Sequence, residues 1–441
     1  MLLVIPAFFI PLASLGMNSS VFKFFRDPTV NRDKLISTAF ITVFIFATIL
    51  LLTCEAFFTH EISRLLLDAN TESGLWIIQI SLFLTYLTTL SNVFNTAIRV
   101  DRKVRTALIV NVIYIITQVT VSAVLIVVYK MGLLGMIYGQ LFGQIIVFTV
   151  LVFITKKNYK LLPSWMLFKK MLNFGLYSVP AHLLSSVMDK LGQYMIKSML
   201  SLKETGLYAI GSRITAPIQV IGNSMMYAHS AFFFQILKEE NPKKHLRALA
   251  SFYIAFLTYL WVGVSIWGVE VLRFLTPPEF HSASELIAPI ALIPVLLNVY
   301  TFLASGIDSG KNLKPYMIIN FVGIIVFGTT LYLMLDEFGV IGAAYAAIFT
   351  RIVMIIISHF YSQKRLQVNY NIILILVLIL FGIFVIFINS LWFQEELFYR
   401  IIIALIASVV FPFICIGSFA LFKTERIQML NFAHNIRKRK M

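Results

Sequence analysis

The feature that most constrains this chain is a recurrence. Stretches of about 20 apolar residues, the length needed to cross a bilayer core, follow one another from end to end with short polar breaks between them. Thirteen cores can be delimited: 2–22, 35–58, 74–97, 107–128, 133–155, 171–198, 205–236, 248–269, 286–307, 316–335, 338–360, 371–391 and 401–421. With 59% hydrophobic and only 13% charged residues, the chain reads as a polytopic membrane protein. It is expected to be all-α, because a segment in lipid must satisfy its own backbone hydrogen bonds. The longest break, KKNYKLLPSWMLFKK at 156–170, is too short for a soluble catalytic domain, so function is expected inside the helical bundle.

Basic residues fall in alternate breaks. Those at 23–34, 99–105, 156–170, 238–247, 311–314, 364–365 and the tail from 423 hold 27 of the 36 Lys and Arg, while the acidic residues lean the other way. Positive loops stay cytoplasmic, so the C-terminus is expected inside and the N-terminus, as the chain stands, outside. The net charge of +16 then describes a cytoplasmic rim facing anionic headgroups, not a nucleic-acid footprint. Cys54 and Cys415 lie near opposite membrane faces, which rules out a disulfide between them.

An internal repeat organises the segments. GLLGMIYGQLFGQ (132–144) and GVIGAAYAAIFTR (339–351) align without gaps, pairing Gly132 with Gly339, Gly135 with Gly342, Tyr138 with Tyr345 and Phe142 with Phe349. At nearby offsets Asn111 meets Asn320, and Pro11 and Gly16 meet Pro217 and Gly222. The second half opens with an extra helix near 171, so the first half is expected to lack its first helix. The plan is a fourteen-helix fold missing one: a first repeat at 1–155, a basic cytoplasmic loop at 156–170, a second repeat at 171–360, and two further helices with a basic tail at 361–441. Parallel repeats of this kind enclose a central cavity. The stripe Gly135, Gly139 and Gly143, with mates Gly342, Ala346 and Thr350, is expected to let helices pack closely.

Charges inside apolar segments mark the candidate site. In HLLSSVMDKLGQYMIK (182–197), His182, Ser185 or Ser186, Asp189, Gln193 and Lys197 recur at intervals of three and four and share one helical face. Such a stripe cannot face lipid; it faces neighbouring helices or a water-filled cavity. Lys190 is offset by about 100° from Asp189 and reaches a different partner or the outer headgroups. Arg213, in the following segment, lies about 12 Å deep at 1.5 Å per residue, level with Asp189. The pattern fits a structural Asp189–Arg213 ion pair. It equally fits an anion-binding cavity in which Arg213, Lys190, Lys197 and, deeper, Arg351 attract a diphosphate. Pro217 is expected to break its helix locally, His229 to be packed, and Asp189 or Glu55 to be open to a Na⁺ or H⁺ coupling role.

FGLYSVPAHLLSSVMDK opening the second half, ETGLYAIGSRI after it and the GVIGAAYA helix start, in that order and spacing, resemble the polysaccharide and oligosaccharide-lipid flippases, O-antigen flippases among them, of the multidrug/oligosaccharidyl-lipid/polysaccharide exporter superfamily. The resemblance covers essentially the whole chain. It implies a multi-pass protein of the bacterial inner membrane. Such a protein turns undecaprenyl-diphosphate-linked O-antigen, capsule or exopolysaccharide units from the cytoplasmic to the outer leaflet by alternating access. Membrane lipids, Na⁺ or H⁺ and a polysaccharide polymerase complex are the further partners it implies. Arg213 would correspond to the cavity-facing arginine of an Arg-then-Pro helix in related flippases. A proline expected in MMYAHSAFFFQI, where His229 lies, is missing.

No cofactor is expected. SGKN at 309–312 lacks the spacing of a phosphate-binding loop, and His60–Glu61 has Arg64 where a zinc site would place its second histidine. Two other readings stand beside the flippase. An ion-coupled drug exporter of the same superfamily would favour an acidic cavity over this basic one. A membrane-embedded polymerase or acyltransferase would need a sizeable outer loop or a His-centred site.

Overall fold

A computed structural model describes residues 4–391, apart from 26, 28, 60, 62–71, 102, 159–161, 238–240 and 309–313. The expected segment 401–421, Cys415 and the basic tail lie outside the described residues, as do His60, Arg64 and SGKN. The fold is all-α, with no strand among the described residues.

The chain divides into two compact units. The first comprises Met1–Val187 with Lys311–Met317, and the second Met188–Gly310 with Ile318–Met441. The first holds α1 (Val4–Ser14), α2 (Met17–Phe24), α3 (Arg32–Thr53), which runs into a π-helical turn (Cys54–Phe58), α4 (Glu72–Val100), α5 (Val104–Val127), α6 (Gly132–Asn158) and α7 (Trp165–Gly175). The division falls inside α8 (Ser178–Met199). The second unit holds α9 (Leu202–Ile236), α10 (Pro242–Leu275), a 3-10 turn (Pro278–Ala283), α11 (Ser284–Leu303), α12 (Ser305–Asp308), most of α13 (Lys314–Phe338), α14 (Val340–Gln363) and α15 (Ile372–Leu391).

The twelve expected segments before residue 392 each coincide with a helix or a broken pair. Among the described residues, eight helical segments are long and apolar enough to cross a membrane, or nine if α1 and α2, bent by 52°, form one span. The segment at 171–198 is two helices, broken at Leu176–Tyr177, and the basic stretch 156–170 is largely helical rather than a loop. Neither α8 nor α9 is among the apolar spans, because charged and hydroxyl residues dilute them.

Helices begin where capping allows. At the start of α3 the Asn31 side chain accepts from the N–H groups of Asp33 (2.9 Å) and Lys34 (3.2 Å), taking two donors with no intrahelical acceptor. Hydroxyls inside spans fold back on their own helix. Ser81, Thr85 and Thr89 of α4 each donate to the carbonyl four residues earlier at 2.7 Å, which makes them tolerable in an apolar setting. One buried bond ties α6 to α4, Gln144 Nε2 donating to Ser91 Oγ at 2.7 Å.

The repeat appears in the backbone. Gly132 and Gly339 open α6 and α14 with φ of +52° and +58°, the left-handed region that glycine enters without steric cost. Three residues on, Gly135 faces Leu125 and Ile126, and Gly342 faces the Met334 carbonyl. Gly139 lies against Ser122 and Gly143 against Tyr114, so the small-residue stripe closes the α5–α6 hairpin. The Pro11/Gly16 and Pro217/Gly222 match diverges. Gly16 has φ +69° and separates α1 from α2, whereas α9 runs unbroken through Pro217 and Gly222, contrary to the expected break. Pro217 removes one N–H, the one that would meet the Arg213 carbonyl, and packing along α10 and α11 holds the helix through that single loss.

Candidate functional site

Helix α8 carries the predicted stripe on one continuous helix. The face beside it is anchored in the second unit. Met188 and Ile196 are buried, and Gly192 between them lies against the Phe327 ring of α13, where an added Cβ would stand 3.4 Å from Cζ. On the stripe itself His182 and Gln193 are exposed, and Ser185, Ser186 and Lys197 half-buried, as is Lys190 beside it. His182 and Gln193 thus stay exposed, while Lys197, like Lys190 beside the stripe, has interactions of its own. Asp189 lies on α8, but its side chain is outside the described residues. His182 belongs to the first unit, and Lys190, Gln193 and Lys197 to the second.

Arg213 is exposed on α9, eleven residues or about 16 Å from the start of that helix. The turns around it are occupied by local bonds, Ser212 Oγ donating to the Tyr208 carbonyl (2.8 Å) and Thr215 Oγ1 to the Ser212 carbonyl (3.1 Å). On the other side of α9, Gly211 packs on Ile290 and Leu286 of α11. Among the described residues Arg213 makes no ion pair or hydrogen bond. A guanidinium left open three turns inside such a helix has five donors to offer, in a fork suited to phosphate oxygens.

Arg351 has a different setting. It is 4% exposed on α14, with Nη1 3.6 Å from Met354 Sδ and the buried Tyr300 of α11 within electrostatic reach; Asp308 of α12 acts on the same Tyr300. In so apolar a setting a charge acts over a longer range than at an exposed site. The structure thus brings Lys190, Gln193, Lys197, Arg213 and Arg351 into one unit, with Arg351 inside the packed interior and the others half-buried or exposed.

Sequence reasoning missed a polar knot on the same unit. Tyr253 Oη of α10 lies 3.0 Å from the Gly222 carbonyl and 2.9 Å from Asn298 Oδ1, and Asn298 Nδ2 donates to the Pro294 carbonyl at 2.8 Å. Asn298 in an otherwise apolar segment was the available signal. His229 is packed, as expected. It is buried with its ring 4.3 Å from that of Phe302 and 5.5 Å from that of Phe233, and neither ring nitrogen has a hydrogen-bond partner among the described residues.

Residues 1–266 match the sequence profile of a family described as polysaccharide biosynthesis protein. No curated protein matches the chain. Among solved structures, the fold is similar to the lipid II flippase MurJ in an inward closed conformation, at 15% identity and TM-score 0.65, covering 92% of this chain and 91% of that one. A MATE structure in complex with MaL6 gives 15% identity and TM-score 0.66, covering 82% and 85%. A MOP superfamily transporter from Pyrococcus furiosus, described by a binding pocket of reversed polarity, gives 14% and 0.61, covering 82% and 84%. The chain belongs to the polysaccharide biosynthesis protein family and has the multi-span helical fold shared by the MATE transporters and MurJ.

Proposed function

We propose that this protein flips undecaprenyl-diphosphate-linked oligosaccharide, an O-antigen, capsule or exopolysaccharide repeat unit, from the cytoplasmic to the outer leaflet of the bacterial inner membrane by alternating access. It acts as a transporter, not an enzyme. The observation that carries the reading is Arg213: exposed, without a partner among the described residues, and three turns inside the long helix α9. Family membership supplies the polysaccharide, and the fold shared with a lipid II flippase supports a lipid-linked cargo.

In this reading Arg213 grips the diphosphate bidentately, while Lys190 and Lys197 bring further positive charge, and Gln193 and His182 offer hydrogen bonds to sugar hydroxyls. Buried Arg351 contributes field rather than contact. Asp189 serves the coupling ion, Na⁺ or H⁺, or pairs with a cation of the site. A polysaccharide polymerase complex receives the flipped unit. The MATE-like alternative, an ion-coupled exporter of cationic drugs, is disfavoured by the positive sign of these side chains, since like charges repel such a cargo.

The test is surface-polymer restoration in a host lacking its own flippase. The wild-type chain restores polymer, Arg213→Ala abolishes or reduces it at equal membrane expression, and Arg213→Lys is intermediate because an ammonium cannot make the forked contact. Equal polymer from wild type and Arg213→Ala would remove Arg213 from the site. Efflux of cationic dyes without polymer would favour the exporter.

A further inference from the structure

By length alone, α8 can cross a bilayer core without α7. The 22 residues of α8 span about 33 Å at 1.5 Å per residue, enough for a bilayer core. The 11 residues of α7, set off from α8 by the break at Leu176–Tyr177, are additional, and their contacts say where they lie. The Leu162 and Ser164 N–H groups just before α7 donate to Ser37 Oγ (2.9 Å) and Thr38 Oγ1 (3.0 Å), in the second turn of α3. Ser20 Oγ of α2 donates to the Met171 carbonyl at 2.7 Å. Lys170 pairs with Asp27, in the α2–α3 connection, at 3.3 Å. These partners lie within about two turns, or roughly 9 Å, of the ends where α2 stops and α3 starts. The first half of α7, with Trp165, Met166, Lys169 and Lys170, therefore lies at those ends, at headgroup depth, while its last residue, Gly175, meets Gly16 at the far end of α2.

Its two faces suit that position. Leu167, Met171 and Phe174 are buried in the core that also holds Val21, Phe24, Leu35 and Ile36. The other face exposes Trp165 (70%), Met166 (82%), Lys169 and Lys170. Trp165 stacks on Phe168 at 5.0 Å, with Lys169 Nζ 5.6 Å from the Trp165 ring centroid. Tryptophan, methionine and lysine together on one open face are the composition of an interfacial helix, the apolar groups entering the acyl boundary and the ammonium groups staying with the phosphates. No Asp or Glu occurs between residues 156 and 188; Asp27 offsets Lys170, and Lys169 leaves the face net positive.

We infer that the open face of α7 is a docking surface for anionic phospholipid headgroups of the leaflet in which α2 ends. The phosphates engage Lys169 and Lys170 while Trp165 and Met166 sit among the upper acyl carbons. This surface is separate from the transport path proposed above and does not depend on it.

Trp165 supplies the probe. The full chain is reconstituted in phosphatidylcholine vesicles in which a fixed minor fraction of lipid, either phosphatidylcholine or phosphatidylglycerol, is brominated near the headgroup end of its acyl chains. The Trp165 signal is the wild-type fluorescence less that of Trp165→Phe. Brominated phosphatidylglycerol should quench it more strongly, reflecting local enrichment on the order of fivefold for each lysine engaged. Lys169→Gln, which leaves the Asp27–Lys170 pair intact, should reduce that preference, and adding Lys170→Gln should abolish it. Equal quenching by the two lipids in the wild type overturns the inference by showing contact without headgroup choice. Absence of quenching by either overturns it by placing α7 away from the bilayer.

Discussion

Asp27 shows how single side chains fix the connection between α2 and α3. Its carboxylate accepts from the Thr29 hydroxyl (2.6 Å) and N–H (3.0 Å) and pairs with Lys170 across to α7. The Thr29 bonds first, and Lys170 after them, hold its carboxyl below the usual carboxylate range. Because the folded value is depressed, the contribution to stability is complete above the unfolded value near pH 4 and is lost as pH falls through the folded value. Asp27→Asn, which cannot ionise, should therefore melt below wild type at about pH 6, with the gap closing under about pH 4; thermal unfolding in detergent across that range checks it. Other single residues were legible to different degrees. That α8 and α9 are helices, which puts the polar residues of α8 on one face, was legible from spacing. Arg351 and Arg213 look alike in sequence, a lone arginine in an apolar run, yet one is buried and the other exposed. That difference is decided by which face the neighbouring helices cover, and no local pattern encodes it.

At the scale of elements, the two hairpins α5–α6 and α13–α14 use glycine twice, for different reasons. Gly339 sits at φ +58° and ψ −144° with open space around it, so a side chain there would be strained by the backbone alone, at roughly 1–3 kcal/mol. Gly342 is helical, but a Cβ would run into the Met334 carbonyl, and the turn of α13 would have to move, an overpacking cost of typically 1–3 kcal/mol, occasionally more. Gly342→Ala should accordingly lower the melting temperature more than Gly339→Ala, and both should leave helix content by circular dichroism nearly unchanged. Gly135→Ala should be milder than Gly342→Ala, since its Cβ would meet Leu125 Cβ and Ile126 Cγ1 at 3.1 and 3.2 Å rather than collide with a carbonyl oxygen. The existence of both hairpins was legible because apolar length and the repeat agreed. The fate of Pro-x4-Gly was not. At Gly16 the chain breaks, with the backbone meeting Gly175, and Ser178 Oγ donates to the Gly175 carbonyl at 2.6 Å. At Gly222 the helix continues against Asn298 and Tyr253. Identical spacing gives two outcomes because the partner backbone in one case, and a side-chain amide and phenol in the other, set which local geometry is stable.

At the scale of the whole molecule, the unequal placement of basic residues is the ground for the orientation on which the proposed direction of transport rests. The 27 Lys and Arg in alternate breaks would each have to cross the bilayer in the inverted topology, whereas the breaks between them hold few. In the proposed orientation Arg32 and Lys244 at the starts of α3 and α10, and Lys364 just beyond α14, would face the cytoplasm, and Lys203 at the start of α9 and Lys130 between α5 and α6 would face outward. Orientation matters to the proposed transport, because cargo made in the cytoplasm must meet Arg213 from that side first. In a chain with Cys54 and Cys415 replaced by alanine, Lys203→Cys should react with a membrane-impermeant thiol reagent added to intact cells, and Lys244→Cys should react only after permeabilisation. The reverse labelling would invert the molecule and with it the direction of flipping. Labelling of both positions from outside would break the alternation of breaks on which the topology rests.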